Sequence, residues 1–344
     1  MNKADAEPDP SLRAGAGQHG PGAAGRRARI LLVGNANVDV LMGDLAPWPQ
    51  PGTEAVVDRY ELRVGGAAGN TGLALAALGA GAQHGSELIA AVGEDALGRW
   101  LEAELDGVMQ LTRVPAATAL TVGLTHPDGQ RTFVSYMGHL HELPLTRIES
   151  ALEAARPGDL LLLCGYFLMP GLRRHAPELL RRAKAKGVIT ALDTGWPPEG
   201  WTEQVRNELL ALLPDLGVFL PNREELLGVT GLPDAGTYDA AAVREGVTHL
   251  REMGLARVVV KLGGNGALYA GPEGETTFAA PAVKVQDTVG AGDTFNAGLL
   301  VARQRGYSWT EALKPAVQAA SLAIASSPRR YPNWAEVDAA VPAS

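Results

Sequence analysis

The chain reads Gln-Asp-Thr-Val-Gly-Ala-Gly-Asp-Thr-Phe over residues 286–295, and no other stretch carries as much information. An apolar run over residues 278–285, broken by Pro281, precedes it, and small residues with a helical pattern follow it. Backbone N–H groups at the mouth of a helix have no intrahelical partner, and the helix dipole adds partial positive charge there. The stretch therefore predicts a helix-entry turn, residues 290–292, that binds an anion such as phosphate.

Directly after these small residues lies the carboxylate of Asp293. A carboxylate beside a phosphate site repels the ligand, so it indicates a chemical task such as accepting a proton from an attacking hydroxyl group. This combination favours phosphoryl transfer to an alcohol. The alternative is a tight turn in which Asp293 only caps the helix, but Asp287 and Thr288 add polar groups that a cap does not need. A GxxxxGK[ST] motif is absent from the sequence, which excludes a P-loop kinase.

The composition is that of an ordinary globular protein, with 46% apolar and 20% charged residues among 344. The net charge of -8, without a basic run to offset it, argues against nucleic acid or an acidic membrane surface as a partner. No apolar stretch approaches the ~20 residues of a membrane span. Residues 1–28 are rich in Gly, Ala, Pro and charge and lack the apolar segment of a signal peptide, which predicts a disordered tail and a cytoplasmic protein.

Over residues 29–340 apolar runs alternate with helical patterns. The run over residues 30–33 ends at Gly34, as in a buried parallel strand. This rhythm predicts a parallel sheet whose strands are joined by right-handed helical crossovers. Ligands bind such sheets at the carboxyl ends of the strands. Further strands of this kind are predicted near residues 88–92, 159–164, 188–192, 218–220 and 258–261.

Two segments alternate between apolar and polar residues and predict a separate β-layer. Residues 54–64 suit a strand with one exposed face. Residues 120–125 and 131–136 flank Pro127-Asp128-Gly129, which is typical of a hairpin. We therefore expect a small sheet, from about residues 54–64 and 120–136, beside the parallel core.

Polar residues suited to a polyol follow the first strand and a Gly-rich turn. Asn37 and Asp39 can bind adjacent hydroxyl groups, or they are turn residues satisfied by nearby N–H groups. Gly65 and Gly66 let a substrate approach the backbone closely, and Asn70 adds a donor and an acceptor. The alternative for this second group is an ordinary helix start.

Two further motifs lie at predicted strand ends. The spacing of Asn222 and Glu225 is typical of a helix N-terminus, but at the end of a strand Glu225 can hold Mg²⁺ through water and Asn222 can meet nucleotide phosphates. Residues 261–266, a Gly-rich turn between apolar strands, predict either a plain hairpin or a loop over a nucleotide.

In order and spacing, these motifs resemble those of the ribokinase-like (PfkB) carbohydrate kinase family. The resemblance covers residues 29–340 and rests on two Gly-rich signatures, residues 64–79 and 287–295, of which the second is highly specific. Shorter matches are Gly34 to Asp39, Val92-Gly93-Glu94-Asp95 with Gly98, Asn222-x-x-Glu225 and Lys261-Leu262-Gly263.

The resemblance implies a doubly wound, three-layer α/β/α core with a mainly parallel sheet and a small β-sheet lid that closes over the sugar. It implies a kinase that uses ATP and Mg²⁺ to phosphorylate a primary hydroxyl group of a sugar. The exposed edge of such a lid sheet invites pairing with a second chain, so we expect a homodimer formed through the lid. By the same match Asp293 is the general base, and the anion hole is formed by Gly290, Ala291 and Gly292. The residues that the match assigns to the sugar are Asn37, Asp39, Gly65, Gly66 and Asn70. On the nucleotide side it assigns phosphate to Asn222, Mg²⁺ to Glu225, contact along ATP to Lys261, Gly263 and Gly266, and a monovalent-cation site for K⁺ to Asp287 and Thr288.

Three other functions are compatible with parts of this pattern. A nucleoside kinase shares the fold but needs an aromatic wall, and aromatic residues are only 5% of this chain. A non-catalytic sugar-binding regulator does not need the intact Gly-Ala-Gly-Asp. A dinucleotide-binding oxidoreductase requires Gly-x-Gly-x-x-Gly after the first strand, which this chain lacks.

The chain also departs from the family at one place. Members often carry a Gly-Ala pair after the last helix, where this sequence has Ser-Ser-Pro-Arg-Arg-Tyr over residues 326–331. An acidic or phosphorylated substrate would require arginine or lysine near the lid, for which Arg63, Arg113 and Arg131 are candidates.

Overall fold

The structure, a computed structural model, describes residues 26–126 and 131–340. Most of the tail predicted at residues 1–28, and the turn predicted at Pro127-Asp128-Gly129, lie outside the described residues. The strands are β1 (Ile30–Val33), β2 (Asn37–Gly43), β3 (Arg59–Gly65), β4 (Glu87–Gly93), β5 (Gln110–Val114), β6 (Leu120–Thr125), β7 (Arg131–Tyr136), β8 (Leu160–Cys164), β9 (Ile189–Asp193), β10 (Val218–Phe219), β11 (Val258–Lys261), β12 (Ala267–Gly271) and β13 (Gly274–Phe278).

Helices connect and cover these strands. Several begin at residues whose side chains accept hydrogen bonds from the first turn, as at Asn222, Ser308 and Asn333. The helices are α1 (Ala67–Ala77), α2 (Ala96–Glu104), α3 (Leu145–Glu153), α4 (Pro170–Ala185), α5 (Glu203–Leu210), α6 (Arg223–Thr230), α7 (Ala240–Glu252), α8 (Ala291–Gln304), α9 (Trp309–Ile324) and α10 (Trp334–Ala339).

The larger sheet runs β13-β12-β11-β10-β9-β8-β1-β4-β5. Pairing is parallel from β5 through β11, and β12 and β13 add antiparallel strands at one edge. The chain builds outward from β1 in both directions, so the strand order reverses there. Such a reversal opens a crevice at the carboxyl ends of the strands.

Alternate residues of the buried strands pack into two cores. Ile30 and Leu32 belong to one hydrophobic cluster, which includes residues of α1, α8 and α9. Leu31 and Val33 belong to the other, which includes residues of α4, α6 and α7. The sheet is therefore covered by helices on both faces, and the expected α/β fold with a large, mainly parallel sheet and a smaller separate sheet is confirmed.

The smaller sheet, in the order β3-β2-β6-β7, is called the lid below. Residues that face each other across neighbouring strands share one side of a sheet. One side carries polar residues, Asp39, Arg63, Thr121 and Ser135. The opposite side carries apolar residues, Val40, Leu62, Val122 and Val134, with Tyr60 and Tyr136.

The lid strands differ in their bounds from the sequence predictions, whereas Cys164 agrees with them. The polar sequence over residues 35–39 predicts a loop or strand end, but residues 37–43 form β2 in the middle of the lid, and the strand expected at 54–64 begins at Arg59. Cys164, which follows the apolar run of residues 160–163 and is predicted to be buried on that ground, is fully buried, and burial raises the pKa of its thiol. Over residues 26–126 and 131–340, no helix combines the length and apolarity needed to cross a membrane.

Candidate active site

The predicted anion-binding turn lies at the start of α8. Gly290 precedes the helix with φ 70°, the left-handed region that favours glycine. A methyl group on Gly292 would lie 3.6 Å from Nζ of Lys261, so the ammonium group at the end of β11 lies beside the turn. The N–H group of Ala291 donates to the carbonyl oxygen of Thr288 at 3.2 Å, so the N–H groups that follow it in the first turn of α8, with this ammonium group, offer positive charge to an anion.

Asp293 lies in the first turn of α8, where it is half-buried. Nδ2 of Asn70, in α1, donates a hydrogen bond to its Oδ2 at 2.9 Å. Burial, and then the negative charge of Asp193, raise the pKa of Asp293 to about 7, against the lowering influence of Asn70 and Lys261. A carboxylate with this pKa is matched to accept a proton near neutral pH.

A buried polar group beneath the turn was not among the predicted site residues. Asp193, the last residue of β9, accepts hydrogen bonds from Nζ of Lys261 at 2.6 Å and from Nδ2 of Asn296 in α8. The Lys261 and Asp193 side chains are only 12% and 9% exposed. Burial opposes the charged form of Lys261, but Asp193 and Glu225 outweigh it and raise the pKa of that amine. The end of β9 is thus anchored to both β11 and α8.

On the lid side, three polar residues form a chain of hydrogen bonds. Nδ2 of Asn35 donates to Oδ1 of Asn37 at 3.2 Å, and Nδ2 of Asn37 donates to Oδ1 of Asp39 at 2.8 Å. Burial raises the pKa of Asp39 to about 6, although Asn37 and two arginines lower it. The chain aligns the Asp39 carboxylate at the edge of the crevice.

Geometry explains why glycine occupies both predicted positions on the lid side, Gly65 and Gly66. Gly65 pairs with Asn37 across the strands, and a side chain at Gly65 would overlap the carboxylate of Asp39. Gly66 has φ 81° and lies against Asn35 and Asn37 at the start of α1. Both positions therefore keep the polar chain and the helix start close together.

Asn222 and Glu225 form the reciprocal cap of α6. Oδ1 of Asn222 accepts from the N–H of Glu225 at 2.7 Å, and Oε2 of Glu225 accepts from the N–H of Asn222 at 2.9 Å. The Glu225 side chain is buried, and burial together with the charge of Asp193 raises its pKa. The cap uses one carboxylate oxygen, so the other oxygen is left for a cation or water.

The donor set at this edge fits a magnesium ion that is held through water. No group of three or more His, Cys, Asp or Glu side chains within the described ranges is arranged to ligate a metal directly. Three carboxylates, Asp193, Glu225 and Asp293, interact electrostatically around the single ammonium group of Lys261. Buried oxygens of Thr194 and Asn296 also lack a hydrogen-bond partner. Hard oxygen donors with excess negative charge are the surroundings that Mg²⁺ prefers.

The residues predicted to bind K⁺ are arranged differently from the groups that fit Mg²⁺. Oδ2 of Asp287 accepts a hydrogen bond from Nη1 of Arg63, and Oδ1 accepts from the N–H of Val289 at 3.1 Å. Thr288 is exposed. A guanidinium group therefore balances the carboxylate that was expected to face the cation, and these residues as arranged do not fit a monovalent-cation site.

The turn after β11 carries the two remaining predicted residues. Gly263 has φ 57°, and no atom of residues 26–126 or 131–340 lies within 4 Å of where its side chain would be, so among these residues the surface beside Lys261 is open. Gly266 has φ 90°, and a side chain there would overlap the backbone at Phe278. Gly263 therefore leaves room for a ligand, whereas Gly266 is explained by chain packing alone.

Residues 329 and 331 also enter the site, and they were not predicted. Nη2 of Arg329 lies 2.7 Å from Oη of Tyr331 and 3.4 Å from Oδ1 of Asn70. A side chain on Gly290 would overlap the guanidinium group. The sequence signal was the departure from the family pattern at residues 326–331, but it gave no indication of where these side chains point.

Comparisons with known proteins show which family this chain matches. A family model described as pfkB family carbohydrate kinase matches residues 27–335. The ribokinase of Arabidopsis thaliana is 29% identical over 314 residues, which cover 86% of this chain and 76% of that protein. The 1-phosphofructokinase of Haloferax volcanii is 30% identical over 236 residues, which cover 68% of this chain and 72% of that protein.

Among solved structures, Arabidopsis thaliana ribokinase complexed with ribose and ATP is similar to this chain. The TM-score is 0.75 at 24% sequence identity, and the match covers 92% of this chain and 99% of that one. At this identity the likeness establishes the fold.

Proposed function

Because this chain belongs to the pfkB family of carbohydrate kinases, phosphotransferases that act on an alcohol group, we propose that it transfers the γ-phosphoryl group of ATP to a primary hydroxyl group of a sugar. One observation carries the proposal. Asp293, with a pKa of about 7, lies between the anion-binding turn and Asn70, which belongs to the acceptor side. A base at the junction of a phosphate site and a polyol site is what such a transfer requires.

In the proposed reaction Asp293 accepts the proton of the attacking hydroxyl group. The hydroxyl oxygen forms a bond to the γ-phosphorus, and the bond from that phosphorus to the β,γ-bridging oxygen breaks, so that ADP leaves with the bonding electrons. Asn70 holds the carboxylate by its hydrogen bond of 2.9 Å to Oδ2, which leaves Oδ1 for the substrate proton. Transfer of this kind depends on positioning and on stabilisation of charge.

Negative charge on the phosphoryl oxygens is stabilised from the core side. The N–H groups of Gly290 and Gly292 and the ammonium group of Lys261, which lies beside Gly292, supply this stabilisation in the proposal. Glu225 would hold Mg²⁺ through water and Asn222 would meet the nucleotide phosphates, and the bound ion would supply further positive charge there. The open surface at Gly263 gives the nucleotide room beside Lys261.

The acceptor lies, in this proposal, between the lid and α1. Asp39 and Asn37 bind adjacent hydroxyl groups, and the amide of Asn70 contacts both the acceptor and the base. The hydrogen-bond chain from Asn35 supports this assignment because it fixes the Asp39 carboxylate before a ligand arrives. Closure of the lid excludes water from the transferred group.

We also propose that the apolar side of the lid pairs with the same side of a second chain. Tyr60, Val134 and Tyr136 are 76%, 60% and 58% exposed on that side. They lie on β3 and β7, the two edge strands of the lid, and exposed apolar residues on edge strands mark surfaces suited to association. The polar side of the same sheet carries Asp39, so association leaves the acceptor side accessible.

A coupled assay of ADP release tests the proposal. The full chain is supplied with ATP, Mg²⁺ and each of a panel of pentoses, hexoses, keto-sugar acids and nucleosides, with and without K⁺. Turnover of a sugar supports the proposal, and turnover of nucleosides alone supports the nucleoside kinase instead. Sugar binding without ADP release would identify a non-catalytic regulator. We expect K⁺ to change turnover little, because Arg63 already balances Asp287.

A further inference from the structure

Arg329 places a guanidinium group at the predicted phosphoryl site, on the side opposite Lys261. It lies against Gly290, while Lys261 lies beside Gly292 at the other end of the same turn. Because Gly290 has no side chain, the guanidinium group can lie directly over the N-terminus of α8. The turn is therefore bracketed by two cations, one from β11 and one from the segment after α9.

The other cations of this region are neutralised by carboxylates, and Arg329 is not. Lys261 pairs with Asp193 at 2.6 Å, and Arg63 pairs with Asp287. Within residues 26–126 and 131–340, no carboxylate forms an ion pair with Arg329, although its charge acts on Asp39 and Asp293 from a distance. A half-buried guanidinium group with neutral hydrogen-bond partners, directed at an anion-binding turn, indicates a negatively charged ligand.

Neighbouring groups hold the Arg329 side chain in place. Its guanidinium carbon lies 4.9 Å from the centre of the Tyr331 ring, and the Tyr331 hydroxyl group donates to Oδ1 of Asn70 at 3.2 Å. Asn70 in turn donates to Asp293. The arginine is thus connected through neutral groups to the residue proposed as the base.

We propose that Arg329 is a further catalytic residue, which contacts the oxygens of the γ-phosphoryl group during its transfer, and that Tyr331 is its positioning residue. The inference rests on the proposed kinase function. Arg329 forms no covalent bond and moves no proton. Its guanidinium group stabilises the charge that spreads over the phosphoryl oxygens while the bond to the acceptor oxygen forms and the bond to ADP breaks.

The test compares two adjacent arginines in the full-length chain. In Arg329→Gln we expect kcat to fall by about 100-fold or more, with the KM of the acceptor changed by less than about threefold, because removal of one donor to the transition-state charge has an effect of this size. Arg330→Gln is the matched control, since Arg330 is exposed and pairs with Glu336 at 2.8 Å. That variant should retain the wild-type kcat. Arg329→Lys should recover part of the loss, and Tyr331→Phe should reduce kcat less than Arg329→Gln does.

A binding measurement gives a second readout that does not depend on turnover. The affinity of the chain for ADP with aluminium fluoride, which imitates the transferring phosphoryl group, should fall about tenfold or more in Arg329→Gln. The affinity for ADP alone, measured by calorimetry on the same preparations, should stay unchanged. Equal melting temperatures for the two variants would show that the losses do not come from unfolding.

Two results would overturn the inference while the proposed function stands. In the first, Arg329→Gln retains kcat but raises the KM of the acceptor, which would assign the arginine to an anionic substituent of the acceptor. In the second, Arg329→Gln is indistinguishable from Arg330→Gln in turnover and in aluminium fluoride binding. A wild-type chain without turnover on the entire panel would instead overturn the proposed function, and this inference with it.

Discussion

The carboxyl edge of the large sheet and the polar side of the lid both present carboxylates to the same crevice, but they support them differently. At the sheet edge Asp193 is held by a lysine of β11 and an asparagine of α8, and Asp293 is held by an asparagine of α1. On the lid, Asp39 is held by Asn37 from its own strand. The carboxylates at the sheet edge are therefore held by side chains from several elements, whereas Asp39 is held by a side chain of its own strand.

This difference suggests a division of labour. Groups fixed by several elements keep their positions to within the small tolerance that bond making requires. Groups on the lid are held by fewer elements, so a substitution there should disturb the sheet edge less. We therefore expect substitutions at the edge to change kcat and substitutions on the lid to change the KM of the acceptor.

The largest effect is expected from Asp293→Asn. Turnover should fall by at least ~100-fold, because asparagine keeps the shape of the side chain but cannot accept the proton. Steady-state kinetics gives the loss, and calorimetry should give an unchanged acceptor affinity. Turnover close to that of the wild type would remove Asp293 from the role of base.

A smaller effect is expected from Asp39→Asn, and it should appear in the KM of the acceptor and not in kcat. The KM of the acceptor should rise about 10–100-fold, the range that corresponds to hydrogen bonds with a charged group, while kcat stays within a few-fold. Asp44→Asn is the matched control, since Asp44 follows the same strand and its side chain is 65% exposed. A loss confined to kcat would contradict the division between edge and lid.

The pH dependence separates the two regions in a single experiment. Both carboxylates must be ionised to act, and the raised pKa values of Asp293, about 7, and Asp39, about 6, mean that activity is lost as the pH falls. Between pH 7 and 6, log(kcat/KM) should fall by about one for each pH unit, and below pH 6 by about two. Asp39→Asn should keep a slope of one throughout. A wild-type profile that is flat from pH 5 to 8 would contradict both assignments.

The smallest effect on turnover is expected on the apolar side of the lid. Val134→Lys should convert a homodimer into a monomer in light scattering, because a charge is placed on an exposed apolar surface that association would bury. Turnover per chain should change by no more than about twofold, as is usual for surface substitutions. Thr277→Lys, on the edge strand β13 of the other sheet, should behave as the wild type does. Equal masses for all three proteins would contradict association through the lid.

Local patterns predicted the elements that carry the candidate site, because each turn or strand end is a short continuous stretch of sequence. The turn at residues 290–292 and the strand that ends at Lys261 follow from apolar runs and the glycines or polar residues that end them, whereas Asp193, at the end of β9, was not among the predicted site residues. β2 was harder to predict. Its residues have weak alternation, and it becomes a strand because β3 and β6 pair with it on both sides. Such pairing is decided by tertiary structure and not by local propensity.

The positions of two arginines in the site, Arg63 and Arg329, could not be predicted from the sequence. Arg63 was only one of three candidate cations, and nothing near it in sequence indicates that it pairs with Asp287. Arg329 lies in a short segment without regular periodicity, so the direction of its side chain depends on how α9 ends and packs. The two arginines change the charge of the site but lie outside the Gly-rich signatures from which the site was predicted.

Nearly every contact that joins the two sides of the site connects residues from opposite ends of the chain. Asn70 and Asp293 are 223 positions apart, Arg63 and Asp287 are 224 apart, and Asn70 and Tyr331 are 261 apart. Closing such long loops is slow compared with forming a helix or a hairpin. During synthesis, the residues proposed to bind the sugar leave the ribosome long before the residue proposed as the base has been added to the chain. A refolding chain should accordingly regain its helices and sheets before it regains turnover, so that enzymatic activity reports the last stage of folding.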